Sequence, residues 1–169
     1  TDLVDDVIFL NQLEFEPMEC ELEMINLAEL MADITSKASA AETPHEIRVD
    51  ISPTCSQIVS DRRLLSKILI NLLSNAIKFS EPETTIEIQV SGTDKQVVCT
   101  VSDTGIGIPP QDINRVCESF YRASNADNIQ GVGLGLAIAQ KCTELLQGRL
   151  DISSTLGSGT SVTLSIDAN

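Results

Sequence analysis

Aromatic and basic residues are scarce in this chain of 169 residues. It has no tryptophan, one tyrosine and four phenylalanines. Surfaces that stack nucleic-acid bases are built from such side chains, so this class of protein is not expected. Lysine and arginine number 11 against 25 aspartates and glutamates, which leaves a formal net charge of −14. That charge repels nucleic acids and anionic membranes, and neither is expected as a partner.

Long apolar runs and paired cysteines are also missing. No apolar stretch is long enough to cross a bilayer, and no signal peptide is recognisable. The five cysteines, Cys20, Cys55, Cys99, Cys117 and Cys142, are scattered without a CxxC pair. This pattern predicts buried, reduced thiols instead of a disulfide scaffold or a zinc site. We therefore expect a cytoplasmic location for this part of the protein, whether or not the full-length protein is anchored in a membrane.

The stretch Asp61–Ser80 is the clearest element of the chain, an amphipathic helix of about five turns. Asp61 is placed to cap the free N–H groups of the first turn. One wide face is apolar and must lie against a sheet or core; it comprises Leu65, Ile68, Leu69, Leu72, Leu73, Ala76 and Phe79. The other face carries polar residues one turn apart, namely Lys67, Asn71, Asn75 and Lys78. On a helix considered alone, such a polar face is best interpreted as solvated.

Periodicity predicts two helices and three strands before the central helix. They are a helix over Thr1–Phe15, a strand over Met18–Met24, a helix over Leu27–Ala41 capped by Asn26, and strands at Glu46–Ile51 and Ile58–Val59. In the two longer strands, alternation places one set of side chains inward. That set is Met18, Cys20, Leu22, Met24, Ile47, Val49 and Ile51.

The second half of the chain alternates strands, glycine-rich loops and helices. The first predicted elements are strands Thr85–Ser91 and Val97–Ser102, joined by a turn at Gly92–Lys95. They are followed by a short helix from Pro110 or Gln111 to Cys117 and by a polar loop or lid at Ser119–Gln130. A helix opened by Gly131–Gly135 runs through Leu146, and strands Arg149–Ser154 and Ser161–Ile166 end the pattern. This order predicts a two-layer α/β (α+β) sandwich, in which three helices cover one face of a mixed, mostly antiparallel sheet.

Three glycine-bearing segments follow the central helix: DTGIGI at Asp103–Ile108, GVGLGL at Gly131–Leu136 and GSGT at Gly157–Thr160. Glycine lets the backbone approach a ligand or adopt positive φ. The second segment opens a helix, where free N–H groups favour phosphate. Each segment by itself is best interpreted as a tight turn, because the spacing matches neither a dinucleotide-binding fingerprint nor a P-loop.

Taken together and in order, the motifs resemble those of sensor histidine kinases. NLLSNAIKF resembles the N box, DTGIGI the first glycine box, ESFYR the F box and GVGLGLAIA the second glycine box. The resemblance covers about Met18–Ile166 and implies the Bergerat ATP-binding fold of the GHKL superfamily. Residues 1–16 resemble the end of the second helix of the dimerisation and histidine-phosphotransfer domain. Residues 17–169 would then be the catalytic, ATP-binding domain.

The resemblance also implies roles for individual residues. Asn75 would ligate Mg²⁺, Asn71 would face the phosphates and the metal, Lys78 would contact the phosphates, and Arg122 would lie on the γ-phosphate side. Asp103 would accept the adenine amine, although a turn aspartate bonded to Gly105 is the alternative interpretation. The remaining nucleotide contacts would be Gly105, Gly107, Ile108, Tyr121, Gly131, Val132, Gly133, Leu134, Gly135, Leu136 and Thr160. The F box usually has a second aromatic residue where this chain has Val116 and Cys117, a departure that concerns how the lid packs.

The residue at position 71 favours phosphoryl transfer over hydrolysis. ATP-hydrolysing relatives of the family carry a glutamate there as general base, and an amide cannot take up a proton. His45 is the only histidine. It follows Pro44 and precedes a strand, so we expect a surface histidine in a loop and not a helical phosphoacceptor. The acceptor would lie N-terminal to Thr1.

The resemblance implies ATP or ADP, the protein's own phosphotransfer domain and a response regulator receiver domain as partners. The fragment would be monomeric and the full-length protein homodimeric. Two alternatives stay open: a degenerate module of the same fold that binds a partner or nucleotide without transfer, and an anti-sigma-factor-type serine kinase.

Overall fold

The computed structural model describes residues 2–40, 44–93 and 95–167. Along the chain, its elements are α1 (Asp2–Phe15), β1 (Leu22–Asn26), α2 (Leu27–Ala40), β2 (Glu46–Ile51), β3 (Gln57–Asp61), α3 (Arg62–Phe79), β4 (Thr85–Thr93), β5 (Gln96–Asp103), α4 (Gly135–Leu145), β6 (Arg149–Thr155) and β7 (Gly159–Asp167). None of the helices in these ranges is long and apolar enough to cross a membrane.

The strands of the described ranges form one five-stranded sheet and one two-stranded sheet. The order in the larger sheet is β2-β4-β5-β7-β6. Only the β2–β4 pair is parallel, whereas β4–β5, β5–β7 and β6–β7 are antiparallel. The smaller sheet pairs β1 with β3 in antiparallel register, with Leu22 opposite Asp61. The predicted mixed, mostly antiparallel sheet is therefore confirmed.

One face of the larger sheet supplies most of the core. In the three central strands, every second side chain is buried, and these residues are Ile86, Ile88, Val90, Val97, Cys99, Val101, Val162, Leu164 and Ile166. Seven residues of α3 are buried as well. The other strand residues are half-buried or exposed, so helices cover one face only, as predicted. All five cysteines are free thiols, and burial raises the pKa of Cys99 and of Cys142 to about 12.

Asp61 starts α3 as its N-cap. Its carboxylate is fully buried and accepts the backbone N–H groups of Arg63 at 2.9 Å and Leu64 at 3.3 Å. The other oxygen accepts the N–H of Glu21 at 2.9 Å and a guanidinium N–H of Arg63 at 2.8 Å. A single carboxylate thus fixes both the first turn of the helix and the segment that precedes β1. The predicted cap of α2 is also present, since Asn26 Oδ1 accepts the N–H of Glu29.

The first strand is shorter than predicted and presents different side chains to the core. It begins at Leu22, and both Leu22 and Met24 are exposed, by 61% and 65%. The reason is that β1 pairs only with β3 and its outward side has no covering layer. Met18 and Cys20 do pack against the core, but from an irregular segment. Val49 is also exposed, because β2 lies at the edge of its sheet.

Three other local predictions were wrong or incomplete. Residues 110–117 form successive turns and no helix, because the bonds there are mostly of the i to i+3 kind. The helix predicted from Gly131 begins at Gly135, since Gly131 and Gly133 have φ of 154° and 81°. Strands β4 and β5 extend further into their hairpin, with Thr93 opposite Gln96. The predicted elements also included Thr1, Ala41 and Asp94, which lie outside the described residues.

Candidate functional site

A cavity of about 640 Å³ opens between α3, the end of β5, the loop Ser119–Gln130 and the start of α4. We call this loop the lid loop. Every residue predicted for the site lines this cavity except Gly105. Motifs separated by up to ninety residues of sequence therefore converge on one space. Asn71, Asn75, Lys78 and Arg122 stand among the lining residues together with Asp103 and Thr160.

The two asparagines of α3 face the first residue of α4. The Nδ2 group of Asn71 donates to the Lys67 carbonyl at 2.9 Å, which leaves its Oδ1 atom directed away from the helix backbone. A Cβ atom on Gly135 would lie 3.2 Å from Asn71 Oδ1 and 3.4 Å from Asn75 Oδ1. Glycine at this position lets the N-terminus of α4, with its free N–H groups, approach both carboxamides.

Two cations, Lys78 and Arg122, line the same cavity as the asparagines. Partial burial of the Lys78 ammonium lowers its pKa, and the neighbouring positive charge of Arg122 lowers it further. Within the described ranges, neither cation has a carboxylate within 4 Å. Two unpaired positive charges of this kind, next to a helix N-terminus, are suited to a polyanion.

Asp103 stands at the end of β5. Its Oδ1 atom accepts the N–H of Gly105 at 2.8 Å and that of Thr160 at 3.3 Å. The other oxygen has no hydrogen-bond donor among the described residues. Burial raises the pKa of this carboxyl group, although the two N–H donors oppose the rise. One oxygen of Asp103 therefore closes a local turn, as in the alternative interpretation, whereas the role of Asp103 toward adenine stays a prediction.

The glycines of the first glycine box serve the packing of the protein's own backbone. A Cβ atom at Gly105 would lie 2.1 Å from the Phe79 carbonyl oxygen, and one at Gly107 would lie 2.1 Å from the carbonyl oxygen of Thr155. Gly107 also has φ of 68°, which glycine adopts readily. Gly105 does not line the cavity. The structure therefore places Gly107, and not Gly105, where a ligand could reach it.

The second glycine box has glycines that face different neighbours. Gly131 adjoins Lys78, whose Nζ atom would lie 2.4 Å from an added Cβ atom. Gly133 adjoins the F box: its carbonyl accepts the N–H of Phe120 at 2.9 Å, and an added Cβ atom would lie 2.4 Å from the Tyr121 carbonyl oxygen. The box thus connects the polar face of α3 to the lid loop.

Several cavity residues were not predicted from the sequence. Asn125 donates from Nδ2 to the Gly107 carbonyl at 2.9 Å, while its Oδ1 atom is buried without a partner among the described residues. Leu3 and Asp6 of α1 also line the cavity. The Asp6 carboxylate lies 2.8 Å from Lys67 Nζ. No sequence signal could have placed α1 here, because its position depends on tertiary packing.

His45 lies outside the cavity. Both of its ring nitrogens are buried without a hydrogen-bond partner among the described residues. The expectation of a surface histidine is therefore wrong for the two ring nitrogens of His45, because both are shielded from solvent. The described residues also contain no group of three or more histidine, cysteine, aspartate or glutamate side chains that could hold a metal ion.

Comparisons with known proteins agree with this geometry. The circadian input-output histidine kinase CikA of Synechococcus elongatus is 32% identical over 169 residues, which cover 96% of this chain and 22% of that protein. The phosphate regulon sensor protein PhoR of Pseudomonas aeruginosa is 33% identical over 166 residues, which cover 96% of this chain and 37% of that protein. This chain thus spans much less than half of either relative.

Among solved structures, full-length ShkA in complex with AMPPNP superposes with a TM-score of 0.86 at 28% identity, covering 99% of this chain and 36% of that one. Residues 60–169 match the family described as histidine kinase-, DNA gyrase B- and HSP90-like ATPases. That match extends over more than half of the chain and includes α3, both glycine boxes and the lid loop. The chain therefore belongs to the family of histidine kinase-, DNA gyrase B- and HSP90-like ATPases.

Proposed function

We propose that this chain is the ATP-binding catalytic part of a two-component sensor histidine kinase. It would transfer the γ-phosphoryl group of Mg-ATP to a histidine on a separate helical domain. The observation that carries the proposal is the distribution of groups around the cavity. Asn71, Asn75, Lys78 and Arg122 stand toward the start of α4 and the lid loop, whereas Asp103 stands at the end of β5.

Asp103 is suited to an adenine base. The exocyclic amine of adenine is a hydrogen-bond donor, and a carboxylate oxygen accepts it with the strength of a charge-assisted bond. Oδ1 of Asp103 is held by Gly105 and Thr160, so the side chain is oriented before the ligand arrives. The AMPPNP in the ShkA complex supports an adenine nucleotide as the ligand of a site with this fold.

The phosphates would lie between α3 and the start of α4. Lys78 and Arg122 supply positive charge, and the first turn of α4 supplies free N–H groups. Asn75 offers a carboxamide oxygen, a hard ligand of the kind that Mg²⁺ accepts while keeping water and phosphate oxygens in its coordination sphere. The ion, when bound, would neutralise charge on the phosphates. Coordination by Asn75 alone does not require a cluster of acidic side chains, and the described residues contain none.

The cavity favours transfer to an amino-acid nucleophile over hydrolysis of ATP. Asn71 cannot take a proton from water near neutral pH. The carboxylates that line the cavity are Asp6 and Asp103. Asp6 is paired with Lys67 at 2.8 Å. Asp103 would be occupied by the adenine of the nucleotide, away from the phosphates. A neutral imidazole already has a lone pair, so its attack would depend on positioning and charge stabilisation and would need no base on this chain.

The acceptor would belong to another domain. His45 lies outside the cavity with both ring nitrogens buried. Helix α1 packs onto the body through Leu10, which is 6% exposed, and through the Asp6–Lys67 pair. We propose that residues 1–16 are the end of the phosphotransfer domain and residues 17–169 the catalytic domain. A response regulator would receive the phosphoryl group in turn, and the full-length protein would be a homodimer.

The two alternatives make different predictions. A degenerate binding module would bind nucleotide or a partner but transfer nothing, and a serine kinase would label serine. The names of the relatives, which include histidine kinases of Synechococcus elongatus and Caulobacter vibrioides, favour histidine as the acceptor. The retained Asn75 and Asp103 favour an active enzyme over a degenerate one.

The test is transfer in trans. The chain is incubated with γ-labelled ATP, Mg²⁺ and a matching dimeric, histidine-bearing helical domain. We expect acid-labile label on that domain, undiminished with His45→Ala and abolished with Asn75→Ala. Acid-stable label would support the serine kinase, and binding without any label would support the degenerate module. Turnover of ATP by the chain alone at the rate of a dedicated ATPase would contradict the argument from Asn71.

A further inference from the structure

Asp112 has a buried carboxylate and is not one of the predicted site residues. It is 4% exposed and lies in the turns that follow Pro109 and Pro110. Its Oδ1 atom accepts the hydroxyl of Tyr121 at 2.5 Å. Its Oδ2 atom accepts both the N–H of Ser124 at 2.9 Å and the Ser124 hydroxyl at 2.8 Å. No lysine or arginine of the described residues forms an ion pair with Asp112 within 4 Å. Three neutral hydrogen-bond donors therefore stabilise the negative charge of this carboxylate.

These three donors lie on either side of Arg122. Tyr121 immediately precedes it and Ser124 follows two residues later, so one carboxylate fixes the chain both before and after the arginine. The Arg115 guanidinium packs over the face of the Tyr121 ring, 4.2 Å from its centroid. The next residue of the loop, Asn125, is tied to the Gly107 carbonyl. The backbone that carries Arg122 is therefore held more firmly than an unstructured loop would be.

Among the described residues, the guanidinium of Arg122 has only peptide oxygens as hydrogen-bond partners. Its Nη2 group donates to the Ala126 carbonyl at 2.5 Å and to the carbonyl of Ile129. A phosphate oxygen is a stronger acceptor for a guanidinium than a peptide carbonyl is, because that bond is charge-assisted on both sides. Arg122 and Lys78 line the same cavity, and the positive charge of Arg122 adds to the effect of burial in lowering the pKa of Lys78. A phosphate group that reached Lys78 would thus be within the neighbourhood of Arg122.

We infer that Asp112 is a positioning residue for the terminal phosphate of the nucleotide, acting through Tyr121 and Ser124 on Arg122. Asp112 itself does not line the cavity. The inference rests on the proposed function, since it presupposes a nucleoside triphosphate in the cavity. Hydrogen bonds from Tyr121 and Ser124 lower the pKa of Asp112, so the carboxylate is ionised at neutral pH and keeps all three bonds.

The first experiment compares ATP with ADP. Affinities for both are measured by calorimetry with Mg²⁺ for the wild type, for Asp112→Asn and for Asp127→Asn, an exposed acid of the lid loop that does not line the cavity. The amide of Asp112→Asn can accept at one position only and presents N–H groups where donors now point. We expect ATP affinity to fall about tenfold and ADP affinity to change by less than about twofold. Asp127→Asn should leave both affinities unchanged.

A double-mutant cycle then separates positioning from general support of the fold. Arg122→Ala should lower the preference for ATP over ADP, and adding Asp112→Asn to it should lower that preference no further. Equal losses of ATP and ADP affinity, or independent losses in the double variant, would overturn the inference. Tyr121→Phe, which removes one of the three bonds without changing the carboxylate, provides a milder variant if Asp112→Asn fails to fold. It should cause a smaller loss in the same direction, and an unchanged ATP preference would count against the inference.

The outcomes also distinguish this inference from the proposed function. If the wild-type chain binds neither nucleotide, the proposed function itself fails. If it binds both and the Asp112→Asn variant keeps the full preference for ATP, only the positioning role fails.

Discussion

The ammonium of Lys78 fills the space that a side chain at Gly131 would need. A Cβ atom added to Gly131 would lie 2.4 Å from Lys78 Nζ, and φ at this glycine is 154°. We expect Gly131→Ala to push the ammonium away from the start of the second glycine box. If Lys78 contacts the phosphates, affinity for ATP should fall by about tenfold, as for a weakened charge-assisted bond. Calorimetric titration of ATP measures the effect.

Gly157→Ala is the matched control for this substitution. Gly157 also has positive φ, 77°, but nothing lies within 4 Å of an added Cβ atom. Its replacement therefore measures backbone strain without displacing a side chain. A loss of melting temperature with unchanged ATP affinity is expected for Gly157→Ala. Equal losses of affinity in the two variants would show that strain, and not Lys78, accounts for the effect of Gly131→Ala.

Asn75→Ala should remove the magnesium-dependent part of nucleotide affinity. Among the described residues, the Asn75 side chain makes no hydrogen bond to the protein, so its carboxamide is available as a ligand. A methyl group cannot coordinate a metal ion. Titrations of ATP with and without Mg²⁺ should differ for the wild type and coincide for Asn75→Ala. Gln140→Ala on α4 removes a carboxamide outside the cavity and should preserve the difference. A magnesium effect that survives in Asn75→Ala would contradict the metal role.

The sequence predicted elements with strong periodicity and local caps better than those that depend on neighbours. α3 begins after Asp61 as expected, because the cap and the apolar face are both local signals. The exposure of Leu22, Met24 and Val49 was missed, because alternation does not tell which strand lies at an edge. A buried alternating strand and an uncovered one have the same pattern.

The same distinction applies to the site. The cavity collects the residues that the ordered motifs implied, since those motifs describe ligand chemistry directly. Asp112 and Asn125 were missed because their hydrogen bonds join the lid loop to residues outside it, and nothing in their local sequence indicates those partners. Gly105 was assigned to the ligand, although it makes room for the carbonyl of Phe79. A glycine that serves a ligand and one that serves the backbone are alike in sequence.

The lid loop should become more ordered when a nucleoside triphosphate binds. It contains no regular secondary structure and lies between two elements that line the cavity. Its contacts to Asp112 and Gly107 involve residues 121–125, whereas Ile129 is bonded only within the loop, through its N–H to the Ala126 carbonyl and through its carbonyl to Arg122, among the described residues. Hydrogen exchange across the lid loop should slow on addition of ATP with Mg²⁺. Equal protection with and without ATP would contradict the closing of this loop.

Asp61→Ala should destabilise the fold without altering the cavity directly. The substitution removes the cap of α3 and leaves the N–H groups of Arg63, Leu64 and Glu21 without their acceptor. The expected loss is about 2–4 kcal/mol in the free energy of unfolding at neutral pH. Urea unfolding followed by circular dichroism measures it. An Asp33→Ala variant, which removes an exposed partner of Arg62, should cost less than about 1 kcal/mol.

The contribution of Asp61 should also depend on pH. Burial alone would raise its pKa, but the hydrogen bonds from Arg63, Glu21 and Leu64 outweigh burial and lower it below its ordinary value of 3.8. A lowered folded pKa means that the stabilisation is present above 3.8 and is lost as pH falls through the folded value. The difference in stability between the wild type and Asp61→Asn should shrink in that acid range. A constant difference across it would show that the ionised form of Asp61 has no special role.

Asp103→Asn should make the free protein more stable and the nucleotide complex weaker. Burial raises the pKa of Asp103 above its ordinary value of 3.8, so the folded state holds its proton to higher pH than the unfolded chain does. Stability then falls as pH rises from 3.8 through the raised folded value, because the unfolded state loses its proton first. Asparagine keeps an oxygen for the N–H groups of Gly105 and Thr160 but has no charge to bury. Melting curves without nucleotide should therefore show this fall for the wild type and not for Asp103→Asn.

The same substitution puts an N–H group where the adenine amine would need an acceptor. Loss of a charge-assisted bond should weaken ATP binding about tenfold to a hundredfold. Calorimetry at neutral pH measures the affinity, and Asp50→Asn on the exposed edge strand β2 controls for the change in net charge. Opposite signs for stability and affinity are the signature of a carboxylate retained for its ligand at the expense of the fold. Unchanged affinity together with an unchanged melting temperature would show that Asp103 does not bind the adenine base.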